Sequence, residues 1–103
     1  MAASSVVVRY VVKPDRLDEH VGLIEAVFEY LNETAPAGVH YAALRESDGL
    51  AFTHVGVYET DEARAAASEN DVFAAFTAEI ADRCSTPPSA APQVVIGSHG
   101  AFD

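Results

Sequence analysis

The sequence predicts an α+β fold, a four-stranded antiparallel sheet with helices on one face, built in the order β-α-β-β-α-β. Three observations carry this expectation. Residues 6–12 form a β-branched run, apolar on both faces of a strand except at Arg9. Leu17, Val21, Ile24, Phe28 and Leu31 recur at alternating four- and three-residue steps, the stripe of an amphipathic helix. Asp48-Gly49 parts two alternating runs, a strong hairpin signal because both central residues of a type I′ turn need φ > 0.

The elements follow in order. Pro14 and Asp15 open the first helix, with proline in its permissive first turn and Asp15, Asp18 and Glu19 near the positive end of the dipole. The stretch Thr34-Ala-Pro-Ala-Gly38 stops it, and the hairpin of residues 39–58 comes next. Thr60 is a good N-cap for a short alanine-rich helix that starts at Asp61 and Glu62. Asn70 and Asp71 read as a second cap, leading into Phe73, Phe76, Ile80 and Cys84 on one helical face. The run Ser85-Thr-Pro-Pro88 breaks that helix, and residues 93–98 close the chain with a last strand. This is the split βαβ, ferredoxin-like arrangement with a divided second helix. It reads as one domain over residues 1–103, with its core at about 6–98 and no repeat or linker.

The hairpin carries what chemistry the chain offers. With Asp48 and Gly49 as the loop, Arg45 faces Phe52, Ala43 faces His54, Tyr41 faces Gly56 and Val39 faces Tyr58. Side chains alternate between faces. One face therefore holds Val39, Tyr41, Ala43 and Arg45 with Phe52, His54, Gly56 and Tyr58. The other holds His40, Ala42 and Leu44 with Thr53, Val55 and Val57, small and mostly aliphatic, and is expected to pack on the helices. The aromatic face is expected on the open side, lining a cavity. An uncovered face of this kind marks an interface, so a homodimer joined sheet to sheet is expected, enclosing the polar and aromatic side chains.

Composition narrows the partners. Six basic against sixteen acidic residues give a net charge of −10, which excludes nucleic acid as a partner. No apolar run approaches a membrane span, so no membrane partner is expected. Residues 1–5 lack a basic region and the following apolar run is broken by Arg9, which argues against a secretory signal. The single cysteine, Cys84, fits a reducing cytosol, so the expected location is cytoplasmic. No pair among His20, His40, His54 and His99 has metal-ligand spacing, and no G-x-G-x-x-G or P-loop occurs. No metal or cofactor is therefore expected. His20 is expected to face solvent from the first helix, and Cys84 to be a buried small hydrophobe.

Arg9-Tyr10, Lys13-Pro14, Pro36-Ala-Gly38, Tyr41-Ala42, Asp48-Gly49, Phe52-Thr-His54 and Asp82-Arg-Cys-Ser-Thr-Pro-Pro88 together resemble small bacterial proteins of the antibiotic-biosynthesis-monooxygenase-like group. These stand in the dimeric α+β barrel superfamily, and the likeness runs over about residues 6–98. The resemblance implies a dimeric α+β barrel and a place among cofactor-free oxygenases of quinol-like aromatics, haem-degrading enzymes, isomerases and proteins with no known activity. The chain departs from the family pattern in the third strand and the short helix. Gly56 and Ala67 stand where a glutamate and a histidine are common, while Tyr58 keeps the aromatic position. There is no tryptophan, which removes the residue that haem-degrading members use to ruffle the macrocycle.

Each candidate residue carries two readings. His54 is a general base suited to neutral pH, or a structural histidine that ties the dimer together. Tyr41 orients a substrate hydroxyl, or covers Gly56 on the neighbouring strand. Tyr58 stacks on a planar ligand, or fills core. Arg9, alone in an apolar strand, pairs with a carboxylate or receives an anionic ligand. On the first readings the protein is a cofactor-free monooxygenase-like enzyme in which His54 deprotonates a phenol or quinol and Arg9, Tyr41, Phe52 and Tyr58 hold it in an intersheet cavity. On the second it is a non-catalytic dimer that binds a small aromatic or anionic ligand, or a scaffold.

Overall fold

A computed structural model describes residues 3–99. Strand β1 (Ser4–Val12) leads through a 3₁₀ turn at Pro14–Arg16 into α1 (Leu17–Thr34), then β2 (Val39–Arg45) and β3 (Ala51–Tyr58). Three short helices follow, α2 (Asp61–Ser68), α3 (Asp71–Thr77) and α4 (Ile80–Arg83), before β4 (Cys84–Gln93). The four strands form one antiparallel sheet in the order β2-β3-β1-β4, and it is not closed. The expected element order and fold class are those found.

The local signals act as chemistry requires. Thr60 accepts from the Ala63 N–H, and Asn70 from the Phe73 N–H, so both predicted caps hold helix donors that lack partners of their own. Helix α1 ends on Ala35 in the left-handed region (φ 42°), its N–H bonded to the Leu31 carbonyl at 2.8 Å. The hairpin register is as the alternation requires: Val39 pairs with Tyr58, Tyr41 with Gly56, Ala43 with His54 and Arg45 with Phe52.

The turn itself differs. The ladder stops at Glu46, whose N–H donates to the Ala51 carbonyl, and the Gly49 N–H closes on the Glu46 carbonyl at 2.9 Å. Only Asp48 (φ 63°) has positive φ there, so the connection is a four-residue loop and not a type I′ turn. The register survives because the longer loop adds residues to both sides equally.

Two expectations about the C-terminal part are corrected. The helical face through Phe73, Phe76, Ile80 and Cys84 is interrupted at Glu79 (φ 58°), and Cys84 begins a strand. That strand runs over Cys84–Gln93, through the prolines, whereas residues 94–98 lie outside it. Pro87 and Pro88 are tolerated because β4 is an edge strand, where a missing N–H costs no bond on the outer side. The β1–β4 register shifts on both sides of Val11 absorb the misfit.

The faces are also the reverse of the expectation. Phe52, His54, Gly56 and Tyr58 alternate as the buried residues of β3, on the side with Tyr10 and Val12 of β1, and they pack beneath the helices. The open face carries Val7, Arg9 and Val11 with Thr53, Val55, Val57, His40, Ala42 and Leu44. The physical reason is area. Rings packed on Val27, Leu31 and Phe76 bury more apolar surface than alanine, threonine and valine do. Their polar tips look costly one at a time but satisfy one another.

Candidate functional site

At the centre of the helix–sheet layer lies a chain of buried polar groups. Tyr10 Oη is 2.6 Å from His20 Nε2 and 2.6 Å from His54 Nε2. The other nitrogen of His54, Nδ1, is 2.6 Å from Tyr41 Oη. At the opposite end the Arg83 Nε–H donates to His20 Nδ1 at 3.1 Å. The order is Arg83, His20, Tyr10, His54, Tyr41, drawn from α4, α1, β1, β3 and β2. His20, His54 and Arg83 are 0%, 4% and 2% exposed, so water does not replace these bonds.

Aromatic packing fixes the rings. Phe52 stacks on Tyr10 at 5.4 Å between centroids and 8° between planes, and meets His20 edge-on at 5.0 Å. Phe76 stacks on His54 at 5.5 Å. Arg83 is a buried cation with no carboxylate within ion-pair distance among the described residues. Its guanidinium is met by carbonyls instead: it donates to Ala78 O at 3.0 Å and to Phe76 O, capping the last turn of α3. The break at Glu79 matters here, because it turns the following residues back so that Arg83 points under the helix it caps.

Burial sets the protonation states. It pushes His20 down to about 4, with the Arg83 charge adding to the effect, and pushes His54 down to about 4 with help from His20. Both imidazoles are neutral near pH 7. The Tyr10 and Tyr41 hydroxyls are held well above the usual phenol range, first by burial and then by neighbouring tyrosines. All four nitrogens of the two imidazoles are engaged within the chain. Among the described residues no group of three or more His, Cys, Asp or Glu is arranged to hold a metal.

Of these five groups Tyr41 is the one that is partly exposed. Tyr41 lines a cavity of about 280 Å³ between the C-terminal end of α1 and β2, together with Phe28, Leu31, Asn32, Pro36 and Val39. Phe28 packs on the Tyr41 ring at 5.5 Å. The volume lies near the lower end for small-molecule pockets, about 300 Å³ and upward, which suits a single ring.

The structure brings some of the expected residues together and separates others. His54 and Tyr41 are joined directly, and Phe52 lies behind them on Tyr10. Tyr58 packs with Ala63 and Ala67 and occupies the space over Gly56, the place expected for Tyr41. Arg9 is exposed on the opposite face, so its charge cannot reach this cluster. The space around His54 is filled by rings, and the cavity is a helix–sheet one, not an intersheet one.

His20 is the largest correction. Expected in solvent, it is fully buried. Its signal was present, since it stands three residues after Leu17 and four before Ile24, on the same helical stripe. Tyr10 was also legible as the partner of Val8 and Val12 on one strand face. Nothing local to Arg83 announced its role, which depends on the break at Glu79.

Structural comparison places this architecture. Rv0793 from Mycobacterium tuberculosis is similar with a TM-score of 0.78 at 15% identity, covering 94% of this chain and 98% of that one. A candidate antibiotic biosynthesis monooxygenase from Nitrosomonas europaea is similar with a TM-score of 0.76 at 18% identity, covering 95% and 94%. A candidate of the same name from Caulobacter crescentus CB15 gives 0.75 at 15%, covering 92% and 91%. The fold is that of the antibiotic-biosynthesis-monooxygenase-like proteins. No family model matches the sequence, and no curated protein matches it. At these identities the likeness concerns the fold alone.

Proposed function

We propose that the protein is a cofactor-free, monooxygenase-like oxidoreductase that takes a one-ring phenol or quinol into the cavity beside Tyr41. The observation that carries this reading is the buried polar chain whose outer member, Tyr41, lines a cavity together with Phe28. The shared fold with proteins named as candidate antibiotic biosynthesis monooxygenases supports it. In this reading Tyr41 touches the ligand oxygen, Phe28 lies against the ring, and His54 acts only through Tyr41. A phenolate gives an electron to dioxygen far more readily than the neutral phenol. Recombination at a ring carbon bearing hydrogen, followed by loss of water, leaves a quinone: one phenol and one dioxygen give one quinone and one water. Dioxygen from solution is the oxidant.

The working unit in this proposal is a homodimer of whole chains, each a single domain, joined through the open sheet face. Leu44 is 57% exposed there, and Val94 and Ile96 beyond β4 are 87% and 99% exposed, which favours a second copy as their cover. The buried Cys84 thiol suits a cytosolic setting, and no helix among the described residues is long and apolar enough to cross a membrane.

An oxygen electrode with a panel of one-ring quinols tests the reading. Uptake above background without added cofactor, lost in Tyr41→Phe, is the expected result. Ring binding with no oxygen uptake would replace it by a non-catalytic binding protein, and no binding at all would remove the cavity as a site.

A further inference from the structure

We infer that Arg83 sets the direction of the buried hydrogen-bond chain and so makes the Tyr41 hydroxyl a donor, which means the cavity takes a ligand oxygen that accepts, a phenolate or a carbonyl. The ligand half of this inference rests on the function proposed above. The direction of the chain does not depend on that function.

Each link leaves one choice. A guanidinium offers N–H donors and no acceptor. Its Nε–H meets His20 Nδ1 at 3.1 Å, so that nitrogen carries a lone pair. A neutral imidazole keeps one N–H, so His20 is protonated at Nε2 and donates to Tyr10 Oη at 2.6 Å. A Tyr10 oxygen that accepted from both rings would leave its own buried proton without an acceptor among the described residues, so that proton goes to His54 Nε2, also at 2.6 Å. His54 must therefore carry its proton on Nδ1 and donate to Tyr41 Oη. The Tyr41 proton has no acceptor among the described residues.

The reverse direction fails at Arg83. It would leave His20 with no proton on either nitrogen, or with an N–H aimed at an N–H. Arg83 cannot swing aside cheaply, since its other nitrogens are held by the Ala78 and Phe76 carbonyls. A second proton on His20 is opposed by burial and by the Arg83 charge.

A chemical consequence follows for the ligand. His54 Nδ1 already bears hydrogen, so it cannot take a proton passed inward through Tyr41. A bound phenol loses its proton to water at the mouth of the cavity, and Tyr41 O–H holds the anion. Arg83 is thus a positioning residue that acts through three intervening side chains.

Histidine-selective ¹⁵N labelling and long-range ¹H–¹⁵N spectra of the free protein near pH 7 test the direction. The expected pattern is His20 protonated at Nε2 and His54 at Nδ1, the tautomer less favoured in water. His54 protonated at Nε2, or either ring protonated twice, would overturn the inference. Arg83→Lys keeps a cation but loses the fork, and should turn His54 into a mixture of tautomers. A folded R83K protein with His54 still wholly Nδ1–H would show that Arg83 is not the cause, and should R83K fail to fold, the wild-type pattern decides. For the ligand, 4-nitrophenol should bind as the phenolate with about tenfold preference, read as a fall of about one unit in its pKa, and Tyr41→Phe should abolish that fall. Equal binding of the neutral phenol would overturn the acceptor-oxygen half. No binding of 4-nitrophenol would remove the proposed cavity function, while the tautomers still decide the direction of the chain.

Discussion

Acid should unfold this protein through His20 and His54. Both have native values near 4 against an ordinary 6.5, because burial penalises the imidazolium. Between those limits the unfolded chain binds protons that the native chain refuses, so stability rises with pH across this window and is lost as pH falls through it. Each histidine contributes about 1.4 kcal/mol per pH unit, hence an upper bound of about 3 kcal/mol apiece by pH 4. Down to pH 5 the two together should remove roughly 4 kcal/mol, against a total stability of about 5–15 kcal/mol for an ordinary domain. Urea unfolding at fixed protein concentration, followed by far-ultraviolet circular dichroism at pH 7 and pH 5, measures the difference. His20→Gln should remove about half of the pH slope. A stability that is flat between pH 7 and pH 5, or a slope unchanged in both His20→Gln and His54→Gln, would refute the buried neutral chain.

Other outcomes are expected from packing. Gly56→Ala drives a methyl group into the Tyr58 ring, which Ala63 and Ala67 wall in, and should cost about 1–3 kcal/mol in thermal denaturation. Gly22→Ala, on α1 with open space around the site, should instead stabilise by about 0.5–1 kcal/mol in the same assay. Asn70→Ala removes the acceptor for the Phe73 N–H and should cost about 1 kcal/mol, loosening α3 and the Phe76 ring it carries. Light scattering at micromolar concentration should give about twice the chain mass of 10.9 kDa, and a folded monomer would remove the sheet-face dimer.

Much of the fold was legible in the chain itself. The stripe from Leu17 to Leu31, the caps at Thr60 and Asn70, and the alternation across the hairpin each report local periodicity or a local hydrogen bond. Such signals depend on neighbours a few residues away. That is why the order of elements and the register of Tyr41 against Gly56 could be read without a structure.

The choice of buried face could not be read in this way. Periodicity says that Tyr41 and His54 share a face, but not which face the helices take. Polar tips suggested an open cavity only because their partners were unseen. Tyr10, His20 and Arg83 lie 44, 34 and 29 residues from His54 in sequence, and the sheet order and the break at Glu79 bring them into one chain of contacts. The sequence by itself determined the elements and their register, since those follow from short-range geometry. Only the tertiary structure decided that a histidine on α1 and an arginine after α3 would satisfy the tyrosines, because the cost of burying a polar group depends on what lies opposite it in space.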